Sequence, residues 1–429
     1  MKTLTNADSI VKFIKKHCDA DDYIVRITFS DSLETRFAQN RITQHIAGKN
    51  ADVTIQIAYG PKWGSARTNQ VNEENILQTI EKAKTVAILS EPDPEFMPSV
   101  PGADYRDFVN SYPSTKGLKA EDHVAMVRKC IENAQGKEAF VSGMTEHHLI
   151  ERFLYTKNGF SGNNSETRFE HSMTIKKDDR ETKVSRSVLD FKDFDLQAEI
   201  NQLNEQLDSL TTPAVMEPGK YNVILRPNAV VELFLFLLYG FDRREADDGL
   251  TPFTDKIGKE FFGKNFTLIS DTKTKGLYTP GFSNEGVPTE PVNWIKNGVL
   301  TNMPMTRYYA KLKGLKLTSD LYNIHILGGS VSEEAMMKMV DRGLIINRFW
   351  YIREIDRKRG ELTGMTRDGV LYFEKGKVKK AVNNFRFNEI PYDVTKRILA
   401  LGESIIQNTE TKIPTMLIKD FNFVDKTSF

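Results

Sequence analysis

Apolar residues in this chain recur with two spacings, and segments of the two kinds alternate. Ile10, Phe13 and Ile14 share one face of a helix predicted over Asn6–His17. Strand-like runs come next at Tyr23–Phe29, Glu34–Gln39, Ile42–Ala47 and Asp52–Tyr59, with Gly60-Pro61-Lys62-Trp63-Gly64 as a turn between strands. Glu73–Leu89 is a second predicted helix. Asn72 caps it, Glu73 and Glu74 suit its dipole, and Ile76, Ile80, Ala83 and Ala87 form its stripe. Residues 91–117, rich in Pro, Asp and Ser, are expected to be an ordered surface linker. The order then recurs. A helix at Ala120–Asn133 precedes strand-like runs at Glu138–Ser142, Leu149–Lys157, Glu166–Lys176 and Thr182–Leu189, and a helix at Leu196–Leu210 closes the set.

Helix, several antiparallel strands, helix, twice over, predicts a duplicated helix/antiparallel-sheet N-terminal domain over residues 1–212. The two halves are too dissimilar in sequence to establish a repeat. Thr211–Gly219, with two prolines and a glycine, marks the expected boundary with a second domain over 219–429. That domain is organised around residues 222–249. Val223–Leu225 is a short strand, Arg226-Pro227-Asn228 a turn, and Ala229–Tyr239 a helix with Asn228 as its cap. Apart from Ala229 and Glu232 every residue of the helix is bulky and apolar, which predicts burial around most of its circumference. Phe234, Phe236, Tyr239 and Phe241 are then core or subunit interface, and Asp242–Gly249 an exposed loop.

Further strands are expected at Phe266–Ile269, Val292–Ile295, Val299–Met303, Leu344–Trp350, Glu361–Arg367, Val370–Glu374, Lys377–Val382 and Thr415–Phe423. Their turns are Lys296-Asn297-Gly298, Arg367-Asp368-Gly369 and Lys375-Gly376. Helices are expected at Ser332–Arg342, stopped by Gly343, and at Asp393–Gly402. The fold class is therefore α+β, with a strand-rich C-terminal domain around one buried helix.

Composition narrows the function classes. A chain of 429 residues is long enough for two or more cores. With 59 basic against 58 acidic residues there is no global field for nucleic acid or anionic lipid, and two acids interrupt the basic run Arg353–Arg359. The longest uncharged apolar run, Leu233–Phe241, is well short of the ~20 residues of a membrane span. The N-terminus lacks a signal peptide's apolar centre, and Cys18 and Cys130 cannot make a disulfide framework, so a cytoplasmic location is expected.

Several segments, taken in order, carry a resemblance. They are Gly60–Asn69 (GPKWGSARTN), Phe282–Thr289 (FSNEGVPT), Ile295–Leu300 (IKNGVL), Thr306–Gly314 (TRYYAKLKG) and Val340–Ile346 (VDRGLII). Together they resemble the TldD/TldE (PmbA) family, peptidases also known as modulators of DNA gyrase. In the catalytic TldD branch a His-Glu-x-x-x-His motif comes directly after the strand and opens the helix, and with a C-terminal cysteine it supplies zinc ligands and a base. Anchored on Val223–Leu225, those positions hold Arg226, Pro227 and Val231 here. No histidine lies between His171 and His325, and no cysteine occurs after Cys130. The resemblance therefore implies the TldE branch: no catalytic residue and no metal in this chain, with zinc in a TldD-type partner.

The resemblance further implies a subunit of a cytosolic zinc metallopeptidase that degrades or trims unstructured peptides. Its partners would be a TldD-type paralogue in a hetero-oligomer, or itself in a homodimer, plus unfolded peptide, with neither nucleic acid nor membrane. Substoichiometric zinc is expected on purification. Glu285 and Gly286, Tyr308 and His325 are candidates for a substrate groove, glycine admitting a close backbone. His147 and His148 point to opposite faces of a strand and cannot chelate together. Gly328-Gly329-Ser330 lacks a phosphate-cradle context. Two other functions compete: a peptidase using a different constellation such as His325 with Glu285, and a non-enzymatic homodimeric regulatory protein.

Overall fold

The computed structural model describes residues 3–210 and 212–427. Helix α1 (Ala7–His17) starts where Asn6 accepts the Ser9 backbone N–H at 2.8 Å. The four strand-like runs after it are two long strands, β1 (Asp22–Ala38) and β2 (Arg41–Tyr59). Gln39 and Asn40, both at positive φ (49° and 61°), make the tight turn between them. Strand β3 (Lys62–Thr68) and helix α2 (Glu73–Leu89) complete the first half, with Asn72 capping α2 through the Asn75 N–H. The linker holds one short helix, α3 (Pro113–Lys116).

The second half repeats the order as α4 (Ala120–Gly136), β4 (Phe140–Thr156), β5 (Ser161–Lys177), β6 (Arg180–Val188) and α5 (Leu196–Ser209). All six strands form one antiparallel sheet in the order β3-β2-β1-β4-β5-β6. The halves meet through their first strands, Ile24 opposite Thr156 and Phe37 opposite Gly143. Predicted strands fuse here for a physical reason. In mid-strand the helix-facing positions are polar yet buried (Thr35, Thr145, His171), so apolar alternation vanishes while pairing continues. Helices cover one face over Val25, Ile55, Val141 and Ile175. The other face carries Glu34, Glu146 and Glu170 in register.

The second sheet has eleven strands. In chain order its elements are β7 (Gly219–Leu225), α6 (Pro227–Leu235), α7 (Arg243–Asp247), β8 (Leu268–Ser270), β9 (Val292–Lys296) and β10 (Val299–Leu300). Next come α8 (Arg307–Lys313), β11 (Ile324–Ile326), α9 (Glu333–Met339), β12 (Arg342–Asp356), β13 (Glu361–Glu374) and β14 (Lys377–Val382). The last elements are β15 (Asn384–Glu389), α10 (Pro391–Thr395), β16 (Ile398–Asn408) and β17 (Thr411–Thr427). Strand β7 runs between a parallel β12 and an antiparallel β17, and its last three residues, Val223, Ile224 and Leu225, are buried. Val223 and Leu225 join the larger core with α6, and Ile224 joins the core capped by Met336 of α9.

Several expectations need correction. Helix α6 starts earlier, with Arg226 at its cap and Pro227 at its first position, where a missing N–H costs nothing. It ends at Leu235 and continues as a tighter turn over Phe236–Gly240. The expected burial around most of its circumference holds at Ala229, Val230, Val231, Leu233 and Phe234, with Leu235 and Tyr239 38% and 61% exposed on the open side. The polar segment after it folds into α7, capped by Asp242. The turn expected at Arg367-Asp368-Gly369 lies inside an unbroken β13, with Asp368 and Gly369 at positive φ. Helix α9 stops at Met339, and Gly343 sits within β12, where a Cβ would meet the Phe373 ring at 2.6 Å. Most of the helix expected over Asp393–Gly402 is replaced. Only Pro391–Thr395 is helical, and Ile398 onward pairs with β17, so cross-strand partners outweigh local preference.

Candidate cleft between the two sheets

The polar face of the first sheet and the start of α6 enclose a cavity of about 320 Å³. Glu146, Arg168, Glu170 and Arg186 line it from β4, β5 and β6. Asn228, Val231 and Glu232 line it from α6, because residues three and four apart share a helix face. The β16–β17 turn, residues 407–410, closes the third side. Gln407 Nε2 donates to the Asn228 side-chain oxygen Oδ1, and Arg186 Nη1 donates to the Ile406 backbone carbonyl at 2.9 Å, tying β6 to β16. A second cavity of about 100 Å³ adjoins it past Arg186, with Arg226, Pro227, Asn347 and Arg348 in its wall.

Its electrostatics are set by burial and by pairing. Glu232, the single charge on α6, accepts the Phe349 backbone N–H and lies 3.3 Å from Arg348 Nε. Burial nevertheless pushes its carboxyl up to about 7. On the first sheet Glu146 accepts from His148 Nε2 at 3.1 Å. That hydrogen bond lowers the Glu146 pKa and raises that of His148, while burial raises that of Glu170 across the ladder. Arg168 reaches Glu410 at 3.2 Å and Glu170 at 3.6 Å. The cleft therefore combines acid, base and amide groups on two facing walls.

Of the residues singled out in the sequence, Val231 lines the larger cavity, and Arg226 and Pro227 line the smaller one beside it. Arg226 Nε donates to Glu333 Oε2 at 2.9 Å, Nη2 to Glu333 Oε1 at 2.7 Å, and Nη1 to Asn347 Oδ1 at 2.7 Å. A guanidinium, a pyrrolidine ring and an isopropyl group supply no metal-binding lone pair, so these positions do not fit a zinc ion. Among the described residues no three His, Cys, Asp or Glu side chains are grouped to hold a metal.

The other candidates lie elsewhere. Gly286 (φ 79°) is pressed against the linker and β4, where a Cβ would meet Val100 at 2.6 Å and Leu154 at 3.3 Å. Beside it Phe282 packs with Val100, Leu154 and Phe160, and Arg26 donates to the Asn284 carbonyl. Glu285 is exposed next to Arg26. The Phe282–Thr289 segment thus locks the two sheets together. Tyr308 is half-buried on α8, and His325 is 8% exposed in β11, its Nδ1 without a hydrogen-bond partner among the described residues. His147 faces α4, 3.0 Å from His123, and His148 faces the cleft side with Glu146, on opposite faces as their adjacency requires.

Sequence reasoning missed Glu232, Asn228, Arg168, Glu170 and Gln407. Only Glu232 left a signal, as a lone charge in an apolar helix.

The comparisons with known proteins agree on one group. Residues 218–425 match the PmbA/TldA metallopeptidase C-terminal domain, and residues 23–87 match PmbA/TldA metallopeptidase domain 1. The metalloprotease PmbA of Escherichia coli O157:H7 is 22% identical over 94% of this chain and 91% of its own length. A TldD homologue of Buchnera aphidicola is 23% identical over 60% of this chain and 53% of its own length. The crystal structure of TldE from Thermococcus kodakarensis has the same fold, with a TM-score of 0.87 at 18% identity, covering 97% of this chain and 99% of that one.

Proposed function

The chain belongs to the PmbA/TldD metallopeptidase family, and from that premise we propose that it is a TldE-like subunit whose zinc-bearing partner is a TldD-type paralogue. One observation supports this above all. At the start of α6, where the catalytic branch of the family opens its zinc motif, Arg226 is committed to Glu333 and Asn347. That arrangement is a built ion pair, and its Arg226 lies in the wall of the smaller cavity, about 100 Å³, that adjoins the cleft of about 320 Å³. In this reading the subunit acts in the cytoplasm on unstructured peptides. It holds part of the peptide between β6 and the β16–β17 turn, while the partner carries out hydrolysis.

Co-expression with a His-Glu-x-x-x-His paralogue tests it. Peptidase activity and stoichiometric zinc in the co-purified complex, with neither in the lone chain, is the expected result. Zinc-dependent activity of the lone chain would overturn the reading, as would failure to form a complex with the paralogue.

A further inference from the structure

The two adjoining cavities differ in charge. Glu146, Glu170, Glu232 and Glu410 face Arg168 and Arg186 across the larger cleft. The smaller cavity, about 100 Å³, reverses that balance: Lys183, Arg186, Arg226 and Arg348 stand in its wall against one acid, Glu199. Two of these cations are already matched. Arg226 is held by Glu333 at 2.7 Å, and Arg348 lies 3.1 Å from Asp368 and 3.3 Å from Glu232. Lys183 and Arg186 form no ion pair among the described residues, and Arg186 spends Nη1 on the Ile406 carbonyl. Burial, and after it the charge of Arg348, lowers the Lys183 ammonium from its usual range, while burial raises the Glu199 carboxyl and makes it easier to neutralise.

The rest of the wall offers donors. The Gln206 side-chain oxygen accepts from Thr182 Oγ1 at 2.7 Å, and the Asn228 oxygen accepts from Gln407, which leaves each with an amide NH2 to give. Strand β6 ends its sheet, so alternate backbone N–H groups over residues 183–186 point off the edge where the cavity lies. Further along β6, Glu181 meets Arg367 of β13 at 3.7 Å and bridges the two sheets, closing the way beyond. The cavity is a dead end with room for the end of a chain.

We propose that it receives the C-terminal carboxylate of a peptide lying in the cleft, with Lys183 and Arg186 as the cations and the Gln206 and Asn228 amides as further donors. This rests on the cleft being a peptide site, and it gives the peptide a direction: its last residue sits against β6, and earlier residues run past α6 toward the β16–β17 turn. A carboxylate accepts from all of these groups at once, and hydrogen bonds between charged partners are the stronger kind. A C-terminal amide has the same shape but sets N–H groups against donors and cations, so the site rejects it. An internal loop of a folded protein has no such group to present. Short peptides and free chain ends are therefore selected.

The test uses the full chain purified alone and a fluorescein-labelled, unstructured peptide, made once with a free C-terminus and once as the C-terminal amide. Fluorescence anisotropy should show the acid binding about ten-fold more tightly than the amide. Lys183→Met should cut that ratio to about two-fold and Lys183→Arg should keep it, both with the parent's circular dichroism spectrum. Equal affinity of the parent for acid and amide overturns the carboxylate site and leaves the peptide reading standing, and this comparison needs no variant to fold. Binding of neither peptide overturns both. A ratio unchanged in Lys183→Met places the carboxylate elsewhere and overturns the site. So does acetate that displaces the acid peptide at matching concentration, which marks a pocket for small free acids.

Discussion

Arg226 and Glu333 meet in a two-point ion pair, Nε to Oε2 at 2.9 Å and Nη2 to Oε1 at 2.7 Å, joining the cap of α6 to the first turn of α9. The two elements lie on opposite faces of the second sheet, with α6 against the larger core and α9 against the smaller. The pair crosses at the end of β7, so one contact fixes both. Both side chains are about three-quarters buried, at 27% and 26% exposure.

Breaking that pair from one side leaves an unmatched charge. Glu333→Gln should lower stability by about 2 kcal/mol, read as a drop in the urea midpoint. Restoring one histidine, by Arg226→His, should not create zinc binding, since position 231 remains valine. Stoichiometric zinc in that variant would contradict the account of the cleft.

Buried histidines should make the fold acid-sensitive. Burial lowers His123 and His171 from 6.5 to about 4. Both are neutral when folded and take up protons on unfolding, so their contribution is complete above pH 6.5 and lost as pH falls toward 4. The steepest loss is about 1.4 kcal/mol per pH unit for each group. Urea midpoints between pH 7 and pH 5 measure it, and His171→Asn should remove about half of this dependence.

Glu232 behaves in the opposite sense. Its folded value, pushed up to about 7, lies above the unfolded one, so stability is full below pH 4.5 and is lost as pH rises through 7. Glu232→Gln keeps an acceptor for the Phe349 N–H and removes the charge. It should gain about 2 kcal/mol relative to the parent on going from pH 5 to pH 8. Equal pH profiles for the two proteins would refute the assignment.

Gly286 should tolerate no side chain. Its φ of 79° and the 2.6 Å approach to Val100 make Gly286→Ala both strained and crowded. The expected cost is about 2 kcal/mol or more, with faster proteolysis in the linker over 91–117 as the two sheets loosen.

Periodicity and capping residues were enough for the helices that stand alone. Asn72 caps where its type says it should, because the hydrogen bond is made within three residues. The duplicated order of the first domain and the Asn297-Gly298 hairpin turn were legible for the same local reason. Tertiary structure decided the rest. It ran β1 and β4 through polar centres, since Thr35 and Thr145 find partners on α4 and in the sheet rather than in solvent. It turned Ile398–Asn408 into a strand because β17 lay alongside. It also drew Glu146, Glu170 and Glu232 into one cleft from elements up to 86 positions apart. No local spacing encodes such a meeting, because it exists only once two separately folded sheets face each other.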